Sequence, residues 1–123
     1  MLQRMMDQVP NEVICADNLP LRRLASLLAR ADIFVSNYSG LMHLGAAVGT
    51  RVIGLFGPDD PDFLFPYSRD DGHLAIFADA ECRPCQKDYC PLGTLECLQR
   101  IDLSTVLSAV EQRLTTSARK FSE

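Results

Sequence analysis

No stretch of this sequence is apolar for long enough to cross a bilayer, and Met1-Leu2-Gln3-Arg4 does not lead into the long apolar core of a signal peptide. Both absences make the cytoplasm the expected compartment. Positive charge is in deficit, with 12 lysines and arginines against 16 aspartates and glutamates and a formal net charge of −4. A nucleic-acid partner needs a basic face for its phosphates, so the balance argues against one. The 123 residues are too few for two large domains and suit a single domain, 1–123, with a core of its own. Apolar residues at 47% and charged residues at 23% are the ordinary mixture for such a domain.

Hydrophobic patterning divides the chain into alternating elements. Leu2, Met5, Met6 and Val9 recur at helical spacing, so residues 1–11 read as the end of an amphipathic helix closed by Pro10-Asn11. The pattern therefore starts partway through. Val13-Ile14-Cys15-Ala16 is a continuous apolar run of the kind expected in a strand buried on both faces, with Cys15 as a small buried hydrophobe. Asp17-Asn18-Leu19-Pro20 turns the chain, and Pro20 suits the first position of a helix whose inward face is Leu21, Leu24, Leu28 and Ala31. Ile33-Phe34-Val35 and Val52-Ile53-Gly54-Leu55-Phe56 read as buried strands, separated by a helix from Leu41 to Val48 that Gly49-Thr50 ends. A further strand is expected over His73 to Ala78 after the turn Asp70-Asp71-Gly72. The last helix carries Leu103, Val106, Leu107, Val110 and Leu114 on one stripe, capped by Asp102, with residues 115–123 expected to fray. The fold class is α/β, a Rossmann-like parallel sheet with flanking helices.

The centre of this arrangement is Asn37-Tyr38-Ser39-Gly40-Leu41-Met42-His43-Leu44. A strand, a tight turn and a helix start place Ser39 and Gly40 at a helix N-terminus, where unpaired backbone N–H groups and the helix dipole favour an anion such as phosphate. Gly40 lets a ligand approach the backbone, the Ser39 hydroxyl can cap the helix or touch a phosphate oxygen, and His43 lies on the first turn. The same residues also suit ordinary capping and a packed surface histidine. Ligands of open parallel sheets gather beyond the C-terminal ends of the strands, which puts the turn Asp17 to Pro20 beside this one.

Cys82, Cys85, Cys90 and Cys97 lie within sixteen residues, inside a loop spanning 79–100. Their spacing is open to free thiols, to disulfides or to a structural zinc, for which the first pair has suitable spacing and the other gaps do not. Asp59-Asp60-Pro61-Asp62 carries the carboxylates of a hard-cation site, but two prolines nearby favour a solvent-facing loop.

The run Ser39-Gly40-Leu41-Met42-His43-Leu44, then Gly45-Ala46-Ala47-Val48-Gly49-Thr50 and Leu55-Phe56-Gly57-Pro58, resembles the C-terminal half of glycosyltransferase family 9, the lipopolysaccharide heptosyltransferases. Pro61-Asp62-Phe63 is most similar to the heptosyltransferase II branch, and the resemblance extends from about Val13 to Leu114. It implies the nucleotide-sugar-binding domain of a two-domain GT-B enzyme, with ADP-heptose as donor, a lipopolysaccharide core as acceptor and no required cofactor. It further implies donor contacts at Ser39, Gly40, Leu41, His43 and Tyr38, and packing of Leu19 against the base. The acceptor would be met at the inner face of the bacterial inner membrane, through an N-terminal domain that also carries the catalytic base, so no catalytic residue is expected among these positions. Cys90-Pro91-Leu92-Gly93 is similar to a loop that some family members have and others lack, which implies that it is not catalytic. Two departures stand out: Tyr38 replaces a family aspartate before Ser39-Gly40, and Gly45 replaces a favoured alanine. The reading on this basis is a donor-binding half that does not turn over by itself. Its rival is a non-catalytic nucleotide-binding or assembly module that forms homo-oligomers through an open sheet edge.

Overall fold

The computed structural model describes residues 13–64 and 72–120, with side chains described as far as residue 116 and that of residue 64 left aside. Its elements are α1 (Leu21–Leu28), β1 (Ile33–Asn37), α2 (Gly40–Ala47), β2 (Arg51–Phe56), α3 (Pro61–Leu64), β3 (Leu74–Phe77), α4 (Glu96–Gln99) and α5 (Leu103–Lys120). The expected helix over 1–11, and Asp70-Asp71 of the expected turn, lie outside the described residues.

The three strands form a parallel sheet in the order β1-β2-β3. Ile33 pairs with Arg51 and Asn37 with Leu55 on one side of β2, and Ile53 pairs with Leu74 and Phe56 with Phe77 on the other. A strand flanked on both sides and covered on both faces is apolar along its covered length, and β2 shows this after Arg51: Val52, Ile53 and Phe56 are fully buried. Val52 and Phe56 point into a cluster with Met42 and Ala46 of α2, while Ile53 joins Ile76 and Ala109 of α5 in a second cluster on the opposite face. Helices on both faces of a parallel sheet give the α/β Rossmann-like arrangement that the alternation predicted.

Loop chemistry locks these layers. Gly49, at φ +88°, ends α2: its N–H donates to Ala46 O and the Thr50 N–H to Gly45 O, each at 3.0 Å, the paired bonds of a Schellman cap. Buried Thr50 then donates its hydroxyl to Leu28 O at the end of α1. His73, also buried, accepts the Val52 N–H at Nδ1 (3.1 Å), so its ring holds β2 just before β3 begins.

Several expectations need correction. Val13-Ile14-Cys15-Ala16 is not a strand; it pairs with no described residue, Ile14 is 88% exposed and Cys15 is exposed. An apolar run becomes a strand only beside a backbone that can pair with it, and no described strand flanks this one. Pro20 is the N-cap of α1, one position before the first helical residue. Of the inward face, Leu28 is buried but Leu21 is 64% exposed. Helix α5 continues to Lys120, so the last polar residues prolong it. Asp102 does cap that helix, accepting the Ser104 N–H at Oδ1 (3.3 Å). No helix among the described residues is long and apolar enough to cross a membrane.

Candidate nucleotide-sugar site

The chain leaves β1 at Tyr38, whose N–H donates to Leu55 O at 3.0 Å and so continues the ladder with β2 by one residue. The Tyr38 ring turns inward rather than toward the turn. It stacks on Phe56 at 5.5 Å between centroids and packs against the cluster of Met42, Ala46 and Val52. The His43 ring meets it in a T-shaped contact, 6.0 Å between centroids. Ser39 is extended (φ −165°, ψ 167°) and forms the N-cap of α2 without a side-chain capping bond. Its hydroxyl lies 3.5 Å from that of Ser36 and remains beside the turn.

That geometry leaves the first backbone donors of α2 uncommitted. The N–H groups of Gly40 and Leu41 have no acceptor among the described residues, as expected for a helix start without a side-chain cap. Nothing lies within 4 Å of the point where a Cβ on Gly40 would sit. Around this opening Leu21, Leu41, His43, Leu44 and Ala47 line a shallow, mainly apolar cleft of about 610 Å3. The sequence did not single out Leu21, Leu44 or Ala47, which read only as helix-face residues. Leu19 is half-buried two residues before Leu21 and is not among the lining residues.

Known sequences match most of this chain. The sequence model of glycosyltransferase family 9 (heptosyltransferase) matches residues 1–96. The chain belongs to this family. The family 9 chain is 28% identical over 97 residues to lipooligosaccharide heptosyltransferase 2 of Campylobacter jejuni subsp. jejuni serotype O:2, a match covering 79% of the chain and 30% of that protein. It is 40% identical over 72 residues to lipopolysaccharide heptosyltransferase 1 of Pseudomonas aeruginosa, covering 58% of the chain and 20% of that protein. With lipopolysaccharide heptosyltransferase 2 of Escherichia coli K12 it shares 40% identity over 53 residues, 43% of the chain and 15% of that protein. The family 9 chain thus spans 30% or less of the length of these relatives. No solved structure matches it at a significant level.

A second cleft of the family 9 chain, about 480 Å3, opens beyond the ends of β2 and β3 between Asp60, Pro61, Phe77, Asp79 and Arg83. Asp60 Oδ1 accepts the Asp62 N–H at 3.0 Å, a local turn that occupies part of the carboxylate set. Among the described residues no group of three or more His, Cys, Asp or Glu side chains converges as a metal site, at this cleft or at the cysteines. All of Cys82, Cys85, Cys90 and Cys97 are free thiols, with Cys97 buried and the others half-buried. The Leu95 N–H, 3.4 Å from the Cys90 sulfur, is the main cause that holds the Cys90 thiol below its ordinary range. Backbone N–H groups of residues 92–94 add to it, and partial desolvation opposes it.

What the sequence missed altogether is Arg83. A lone arginine between cysteine and proline carries no signal of its own, yet the residue is half-buried and its guanidinium donates to the carbonyls of Gly57 and Asp59.

Proposed function

We propose that this chain is the donor-binding half of a GT-B heptosyltransferase that takes ADP-heptose and serves a lipopolysaccharide inner-core acceptor on the cytoplasmic side of the inner membrane. The observation that carries the reading is the open backbone at Gly40, with donors at Gly40 and Leu41 that have no acceptor among the described residues and nothing within 4 Å of a Cβ position on Gly40. A diphosphate set there gains charge-assisted hydrogen bonds and the favourable end of the α2 dipole. The nucleoside lies in the adjoining apolar cleft against Leu21, Leu41 and Leu44, and His43, exposed at its edge, hydrogen-bonds phosphate or sugar.

In transfer, negative charge grows on the departing diphosphate as the glycosidic bond breaks. Fixed amide donors at Gly40 and Leu41 are stabilising for that charge without reorganising. Activation of the acceptor hydroxyl requires a general base, and we assign no residue of this chain to that task. The chain therefore binds donor and does not turn over alone. Tyr38, committed to the core through Phe56, supports the turn from beneath and leaves sugar recognition to other groups.

The test is calorimetric titration of the reduced chain with ADP, with UDP and GDP as controls, for wild type and Gly40→Leu. Open space at Gly40 means that the substitution leaves the fold intact while its side chain fills the diphosphate position. Saturable ADP binding that Gly40→Leu weakens by about ten-fold or more, the loss of one or two charge-assisted bonds, supports the reading. Wild-type protein that binds no nucleotide, or a variant that binds as well as wild type, defeats it.

A further inference from the structure

The loop after β2 stands beside the proposed diphosphate turn, and its shape is set from outside by a single side chain. Asn37 and Leu55 are register partners in parallel strands, so the chain leaves β1 at Tyr38 and β2 at Gly57 as neighbours at the same end of the sheet. Three features lie at or near that end, two of them ordered by the strands they follow. The apolar cleft lies on the α1 side, the Gly40 turn follows β1, and the loop Gly57-Pro58-Asp59-Asp60 follows β2. A nucleotide sugar laid with its base in the cleft and its diphosphate on Gly40 directs its sugar to this loop.

Arg83 holds the loop in place. Its Nε donates to Gly57 O at 2.7 Å, one terminal nitrogen donates to Asp59 O at 2.9 Å, and the other reaches Ala78 O at 3.5 Å. The guanidinium carbon also sits 4.5 Å from the centroid of the Phe77 ring, a cation–π contact. One planar fork therefore joins the loop after β2 to the end of β3. Gln86 adds a backbone bond, its N–H donating to Pro58 O at 3.1 Å. Only arginine offers several donors in one rigid plane together with a face for the aromatic ring; lysine is a point charge that can satisfy one carbonyl at a time.

We propose that Arg83 is a positioning residue for the sugar end of the donor, acting through the Gly57–Asp60 loop, and that the cysteine-rich loop serves this site as the brace that presents Arg83. The inference rests on the donor-binding reading. It assigns the loop a purpose that requires neither a metal nor a disulfide.

Wild type, Arg83→Lys and Arg83→Ala are titrated with ADP and with ADP-heptose, with thermal unfolding and hydrogen exchange at residues 57–60 recorded alongside. The expected result is selective. Arg83→Ala weakens ADP-heptose by roughly ten-fold, the loss of about one polar contact, while ADP changes less than about two-fold. Exchange at residues 57–60 rises, and Arg83→Lys falls between the other two. A purely structural role moves the two ligands together, so equal loss of ADP and ADP-heptose binding overturns the proposal, as does unchanged binding of both in a folded variant. Absence of ADP binding by wild type overturns the donor reading and this inference with it.

Discussion

Gly45 sets two opposed free energies against each other, and Gly45→Ala decides between them. In a helix interior alanine is favoured over glycine by about 1 kcal/mol, because glycine loses more backbone freedom on folding. Against this, a Cβ at position 45 would stand 2.8 Å from Phe34 Cδ1, with Val52 Cγ2 at 3.4 Å and Phe34 Cε1 at 3.5 Å. The ring packs against a filled cluster and must retreat by a large fraction of an ångström, and overpacking of that kind costs about 1–3 kcal/mol. The net expectation is a loss of about 1 kcal/mol on urea unfolding. Phe34→Leu removes the offending ring edge. In that background Gly45→Ala should turn stabilising by about 0.5–1 kcal/mol, giving a coupling of about 2 kcal/mol in the double-mutant cycle. The reasoning fails if Gly45→Ala stabilises the otherwise wild-type chain, or if the coupling is below about 0.5 kcal/mol.

Two further outcomes follow from the loops, beside the ligand titrations of Gly40 and Arg83 variants. Asp102 is held below its ordinary carboxylate range first by the Ser104 hydroxyl and then by the Ser104 N–H. Its contribution is thus present above the unfolded carboxylate pKa and lost as pH falls through the lower folded one; Asp102→Ala should destabilise at neutral pH, and the gap from wild type should close in acid, as read by chemical unfolding across that range. A constant gap would show that the cap does not act through the carboxylate. Cys90 should be alkylated by iodoacetamide before Cys82 and Cys85, and long before buried Cys97, because the Leu95 N–H favours its thiolate. Peptide mapping after limited labelling checks the order, and equal labelling of Cys82, Cys85 and Cys90 contradicts it.

The legible part of the chain was its periodicity and its glycine punctuation. Val52 to Phe56 could be read as a strand buried on both faces because every residue there is apolar or glycine, and Gly49 could be read as a helix stop because its positive φ is what glycine permits. The strand-turn-helix around Ser39-Gly40 was visible for the same reason. What escaped was determined by partners distant in sequence. Val13 to Ala16 has the composition of a strand, but composition says nothing about whether a neighbouring backbone is present to receive it. The family resemblance names Tyr38 as a donor contact, and nothing in the sequence signals that its ring stacks on Phe56, eighteen positions on in the next strand. Arg83 gave no signal, since its acceptors are the carbonyls of Gly57, Asp59 and Ala78, and a carbonyl carries no trace in the sequence.

The bond from the Thr50 hydroxyl to Leu28 O fastens α1 at its C-terminal end, while Leu21 at its other end forms a wall of the cleft. A rod fastened at one end moves as a pointer about that pivot. With eight residues the arm is about 12 Å long, so a tilt of about 10° carries the cleft wall through roughly 2 Å while the pivot scarcely shifts. Width at the apolar cleft beside Gly40 is therefore set by the stiffness of a joint at the opposite end of α1, just before β2.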